Sequence, residues 1–286
     1  MERMSSGARW SLVAAGVLTV AAYAAENRKE FRYTVAPGAS VVVTNQSGPV
    51  EVKGSPGRQV VIVATTHSDK VEVDCAQVGN RIEAGTHFLQ SADGPDSRVE
   101  YQLLVPTDAS LTVRAPEGPV AAERLRGDVS VEADAAQVEV RDVRNAHVHV
   151  RTISGPVVLG NINNGHVEVT SLSGNVRLDS VSGPKVAVNT AKGSISYRGN
   201  FGEGGDYMLV NHSGDIDVVL PAFASVDLTA RSITGSVEND FPLQQKSHSS
   251  FVPSPGHSFA GTSNTGASSV QLRSFSGKIR VKKLTH

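Results

Sequence analysis

Between Val150 and Gly199 the chain repeats one short phrase five times: Gly155-Pro156-Val157, Gly165-His166-Val167, Gly174-Asn175-Val176, Gly183-Pro184-Lys185-Val186 and Gly193-Ser194-Ile195. Small residues recur at 118, 127, 136, 146, 155, 165, 174, 183 and 193, always nine or ten residues apart, with later copies at Gly214, Gly235 and Gly277. A short fixed period means that each unit must bury its apolar face against a copy of itself. One unit holds a strand of about five residues and a turn of about four, too few to wrap a core and return, whereas two units, about 19 residues, make a flattened coil. The expected fold is therefore all-β: a parallel β-solenoid (β-helix) with about 19 residues per coil, in which copies two apart stack as parallel strands.

The rest of the chain agrees. Apolar residues alternate and valine dominates them, as in Val129-x-Val131, Val138-x-Val140 and Val167-x-Val169. β-branched residues at period two suit half-buried strands, and the Gly, Asn, Ser and Asp between them suit turns. The valines are expected to point inward, with glycine permitting a tight or positive-φ corner. Residues 25–115 hold strands without the strict step and read as an N-terminal β region, a cap or the irregular start of the solenoid. Residues 116–286 read as the solenoid proper. Within it, 242–269 is rich in Ser, Gly, Pro and His and reads as a loop or flexible insertion.

The N-terminus reads as a signal peptide over residues 1–24. Arg3 and Arg9 precede a short apolar run, Trp10 to Ala21, and Ala22-Tyr23-Ala24 has the form of a cleavage site. An uncleaved anchor is the alternative. After cleavage no integral membrane segment is expected, and the chain would be exported to the periplasm, cell surface or extracellular space. Over 286 residues the formal charge is −1, so bulk electrostatics give no case for nucleic acid. Aromatic residues make up 5%, too few for a stacking platform for sugars or single strands. Cys75 is the single cysteine and reads as a small hydrophobe in a strand. The basic tail of Lys278, Arg280, Lys282 and Lys283 reads as a charged edge, or as a contact for anionic glycan or lipid.

The phrase Ser-Gly-x-[Val/Ile] recurs at Ser47-Gly48, Ser154-Gly155, Ser173-Gly174, Ser213-Gly214 and Ser276-Gly277, and with one extra residue before the valine at Ser182-Gly183. Following an export signal and closing the chain, it resembles the bacterial putative-adhesin β-solenoid family, related to auto-transporter adhesin heads, over roughly residues 31–286. The resemblance implies a β-solenoid at the bacterial surface and brings no catalytic residues with it.

Three side-chain groups remain. His147 and His149 share an outward strand face, and the period stacks His166 on His147 and Glu168 on His149. Two or three imidazoles with Glu168 could hold Zn²⁺ or a similar ion, or form a solvated polar ladder. Asp128 and Ser130 precede them in the same ladders. Asp215 and Asp217 are paired acids on one face, a pattern that glycosidases use. No catalytic site and no cofactor are expected. The leading functional expectation is a non-enzymatic, exported, adhesin-like scaffold whose partner is a cell-surface or envelope protein or glycan. The alternatives are an envelope sensor or accessory protein, with 242–269 as its contact element, and a carbohydrate-active enzyme.

Overall fold

The computed structural model describes residues 27–90, 94–245 and 254–284. The signal expected over 1–24 lies outside them. The chain opens with β1 (Asn27–Thr34), β2 (Ser40–Thr44), β3 (Val50–Ser55), β4 (Gln59–Thr66), β5 (Val71–Val78), β6 (Arg81–Phe88) and β7 (Val99–Pro106). A regular run follows: β8 (Ser110–Ala115), β9 (Val120–Leu125), β10 (Val129–Ala133), β11 (Val138–Val143), β12 (His147–Thr152), β13 (Val157–Ile162), β14 (His166–Ser171), β15 (Val176–Val181), β16 (Lys185–Thr190), β17 (Ile195–Arg198), β18 (Asp206–Asn211) and β19 (Ile216–Leu220). The chain closes with β20 (Val226–Ser232), β21 (Val237–Asn239), β22 (Gln244–Gln245), β23 (Ser258–Ser263), β24 (Ser268–Ser274) and β25 (Ile279–Lys283). Among the described residues one 3₁₀ turn, Gly94–Ser97, is the only helical element, and no helix is long and apolar enough to cross a membrane.

The strands form two long, mostly parallel sheets. In the regular run the chain alternates between them, even-numbered strands in sheet B and odd-numbered strands in sheet A. From β8 to β17 each strand pairs in parallel with the strand two places on. In sheet B, Val129 sits beside Val148, Val148 beside Val167 and Val167 beside Val186. In sheet A, Val138 sits beside Val157 and Val157 beside Val176. These columns face each other as one buried core. Like residues therefore stack on like, and each buried valine side chain contributes roughly 1.5–3 kcal/mol.

One corner of the stack is built by a polar column inside the core. Thr152, Ser171, Thr190, Asn211, Ser274 and Ser232 are all buried. The hydroxyls of Thr152, Ser171, Thr190 and Ser274 accept the backbone N–H three residues on, that of Gly155, Gly174, Gly193 and Gly277, at 2.8–3.1 Å. These bonds satisfy donors that the turn would otherwise bury unpaired. The glycines stand directly above one another. A Cβ on Gly174 would lie 2.0 Å from the carbonyl oxygen of Gly155, and one on Gly193 2.0 Å from that of Gly174. Close approach, not positive φ, is what requires glycine there. The left-handed turns expected of glycine fall mostly to other residues in the regular run: Arg124 at φ 61°, and Asp142, Asn145, Asn161, Asn164 and Ser180, each at φ of 53–54°. Asn and Asp tolerate that region because a short polar side chain bonds locally. Asn161 and Asn164 also donate up the stack, to Asp142 at 3.1 Å and Asn145 at 2.8 Å.

Between Arg198 and Asp206 the connection is longer than elsewhere in the run, and aromatic side chains pack at this corner. Tyr197 and Phe201 stack at 4.4 Å, and Tyr207 packs on Phe201 at 4.4 Å. The buried Tyr197 hydroxyl donates to Val181 O at 2.8 Å, and the Tyr207 hydroxyl accepts from Gly202 N–H at 2.6 Å.

The ends depart from simple winding. The first parallel pair, β2 and β3, lies between β6/β7 and β8/β9. The last pair, β24 and β25, lies between β18/β19 and β20/β21. Antiparallel strands then cover the outer edges: β4 and β1 beside β7, β5 beside β6, and β23 and β22 beside β20. Part of the segment expected as a loop over 242–269 is thus a strand, because β20 would otherwise expose a sheet edge and Ser258–Ser263 brings Phe259 and buried Ala260 to cover it. Residues 246–253 lie outside the described residues.

Three outcomes test this account. Val167→Asp places a charge in the core and should cost about 4 kcal/mol or more in urea unfolding, while His166→Ala on the outer face should change stability by less than about 0.5 kcal/mol. Gly174→Ala forces a Cβ against a stacked carbonyl and should cost about 1–3 kcal/mol in the same assay. Truncation before Ser268 removes an interior pair of strands, so it should abolish the cooperative thermal transition rather than trim it.

Candidate functional site

The outward face of sheet B carries the side chains that the sequence singled out. Parallel pairing places His147 beside His166 and His149 beside Glu168. The imidazole centroids of His147 and His166 are 5.1 Å apart, with the rings tilted by 52°. His149 Nδ1 lies 3.6 Å from a Glu168 carboxylate oxygen. Asp128, one strand earlier, accepts the His147 backbone N–H at 2.9 Å, and Lys185 follows His166 in the column. Ser130 stands beside His149, as the period implied. The four candidate ligands are therefore arranged as two pairs. Among the described residues no three His, Cys, Asp or Glu side chains gather into a group able to hold a metal ion.

Asp215 and Asp217 share the face of sheet A, and a cation engages both. The Arg280 guanidinium donates to Asp215 at 3.0 Å and to Asp217 through two nitrogens, one of them at 2.7 Å. Those carboxylates hold the guanidinium above its ordinary range, the hydrogen bond to Asp217 contributing most. Both carboxylates are therefore already engaged by one guanidinium. Much of this face is compensated in the same way: Arg177 pairs with Asp179 at 2.7 Å, Arg141 with Glu139, Lys53 with Glu123 at 3.8 Å and Lys278 with Glu238. Cys75, in β5, is half-buried; burial, then the neighbouring Asp74, pushes its thiol up to about 12, so it stays protonated at neutral pH.

A second feature of sheet B was not singled out from the sequence. Four of the buried polar residues of the glycine corner, Thr152, Ser171, Ser274 and Ser232, are followed by an exposed apolar residue. Ile153, Leu172, Phe275 and Ile233 occupy that position and are 50%, 55%, 43% and 57% exposed. Backbone bonds such as Ser173 N–H to Ile153 O at 2.8 Å hold them in one column. His212 lies in the same column and stacks on Phe275 at 4.7 Å. The signal was present as Thr152-Ile153-Ser154-Gly155, Ser171-Leu172-Ser173-Gly174, Ser232-Ile233-Thr234-Gly235 and Ser274-Phe275-Ser276-Gly277, where the apolar residue two before glycine repeats. Beside this ridge runs a trough. A recess of about 610 Å³ is lined by Arg114, Glu132, Arg151, Thr170, Ile153 and Leu172 among others. A second of about 610 Å³, bounded by Thr44, Asp74, Glu83 and His87, meets the first at Arg114. Arg114 and Glu132 pair across their strands at 3.1 Å.

Among curated proteins none matches the chain. Three solved structures are similar over most of its length. A putative cell adhesion protein from Clostridium sporogenes is 14% identical with a TM-score of 0.27, covering 90% of this chain and 100% of that one. A putative adhesin from Bacteroides fragilis is 10% identical with a TM-score of 0.41, covering 91% and 99%. A putative adhesin from Parabacteroides merdae is 11% identical with a TM-score of 0.42, covering 90% and 96%. The family model described as Toastrack DUF4097 matches residues 39–282, and the chain, an all-β stack of repeated strands, belongs to that family.

Proposed function

We propose that this protein is a non-enzymatic, exported, adhesin-like scaffold that binds a cell-surface or envelope protein or glycan through the outer face of sheet B. In this reading the molecule is a parallel solenoid with about 19 residues per coil. Residues 25–115 serve as its N-terminal cap, and residues 116–286 as the repeating body. The observation that carries the proposal is the trough meeting at Arg114, walled along one side by the apolar column of Ile153 and Leu172. Exposed apolar side chains in register, beside arginines and hydroxyls, form a surface that gains by desolvation and supplies directional contacts. Repetition up the stack lets an extended partner add many weak contacts. The hold of Arg280 on Asp215 and Asp217 supports a binding role over glycoside hydrolysis.

The test is retention of the purified full chain on immobilised envelope glycans and, separately, on an envelope protein fraction. The triple variant Arg151→Glu, Ile153→Ser, Leu172→Ser should lose retention by about tenfold or more with its melting temperature preserved. Glu139→Gln on sheet A should retain as the wild type does. Equal retention by the triple variant, or loss confined to the sheet-A variant, would sink the proposal. Turnover of a glycan that Asp217→Asn abolishes would replace it with the enzyme reading.

A further inference from the structure

The geometry points to a two-histidine site for a borderline divalent cation such as Zn²⁺, formed by His147 and His166 across adjacent parallel strands. A zinc–nitrogen bond of roughly 2.1 Å puts the ion roughly 3.2 Å from the centroid of each imidazole. Two such vectors at a tetrahedral angle set the centroids roughly 5.2 Å apart. The observed separation is 5.1 Å. The 52° tilt keeps the rings out of face-to-face stacking, which would turn both sets of nitrogens away from a shared point.

The backbone prepares this arrangement. His147 and His166 are direct register partners, and the residue that follows each in its strand, Val148 or Val167, is locked into the core. Asp128 binds the His147 backbone N–H, which fixes the strand end from which that imidazole projects. The charges around the pair are mixed: Asp128 precedes it in the column, Lys185 follows it, and in the next column Glu168 faces His149. His149 faces Glu168 and is not a ligand in this site, so of the four candidate residues two are used. Imidazole donors select Zn²⁺, Ni²⁺ or Cu²⁺ over Ca²⁺ or Mg²⁺. Two protein ligands leave further positions for water or for donors of a partner docked on the same face.

The site is independent of the trough, and its test is run on the full chain with zinc chloride alone. Calorimetric titration should give one Zn²⁺ per chain, and the imidazole ¹⁵N resonances of His147 and His166 should shift together. His147→Ala and His166→Ala should each lose this phase, and His149→Ala should keep it. Both histidines are on the surface, so the variants should melt as the wild type does in the absence of zinc. An isotherm unchanged in the His147→Ala, His166→Ala double variant overturns the site. So does loss of binding in His149→Ala, or the absence of any stoichiometric phase in the wild type.

Discussion

Every column in this molecule depends on how closely one glycine corner sits on the next. The carbonyl of Gly155 lies where a Cβ of Gly174 would be, and the Gly174 carbonyl lies where a Cβ of Gly193 would be. A side chain at any of these points would press its Cβ into the carbonyl stacked on it and strain the spacing of adjacent strands. The buried hydroxyls of Thr152, Ser171 and Thr190 complete the corner by accepting the glycine N–H that the tight turn takes from water. With the corner spacing set, each residue stands above its repeat. Inward valines pack on valines, and outward side chains form ladders whose members are close enough to interact. The pairing of His147 with His166 and the exposed column of Ile153 and Leu172 both follow from that one constraint.

A stack of this kind has two open ends, and open sheet edges recruit other chains. The protein places its first and last parallel pairs inside the stack. β3 is bonded on both sides, by β7 and β9, and β25 by β19 and β21. Neither pair can be peeled from an end without opening a second interface. The strands left outermost are short or antiparallel, and β1 carries the charged sequence Asn-Arg-Lys-Glu. Edge protection and terminal anchoring are thus achieved by the same rearrangement of strand order.

The period in the sequence was enough to read the parallel stacking of strands two apart, the inward valines and the outward alignment of His147 with His166, because those features are local and repeat. Strand order at the ends was not legible. A period reports which residues recur, while the choice of which pair sits outermost is made by the need to cover an edge far away in sequence. The role of the corner was only half legible. Ser154-Gly155 and Ser173-Gly174 were visible as a phrase, but the structural partner of each glycine is the residue three before it, Thr152 or Ser171. The exposed ridge was hidden for a related reason. In Thr152-Ile153 and Ser171-Leu172 the polar residue is buried and the apolar one projects, the inverse of what hydrophobic alternation implies. Inversion is tolerable because the hydroxyl finds a backbone partner at the corner, whereas an aliphatic side chain in its place would leave the glycine N–H unpaired.

The two outer faces consequently differ in what a partner would have to displace. On sheet A, Arg177 with Asp179, Arg141 with Glu139, and Arg280 with Asp215 and Asp217 already pair within or between strands, and a ligand there must compete with those contacts while desolvating them. On sheet B, Ile153, Leu172, Phe275 and Ile233 lose only ordered water when covered, and the hydroxyls and arginines beside them can direct the fit. The apolar members of the column fall in two groups, Ile153 with Leu172 and Phe275 with Ile233, separated by Ala191 and His212, so a partner that reaches both groups covers more of that surface than one seated on either. An extended partner is therefore favoured over a compact one by the geometry of the stack itself.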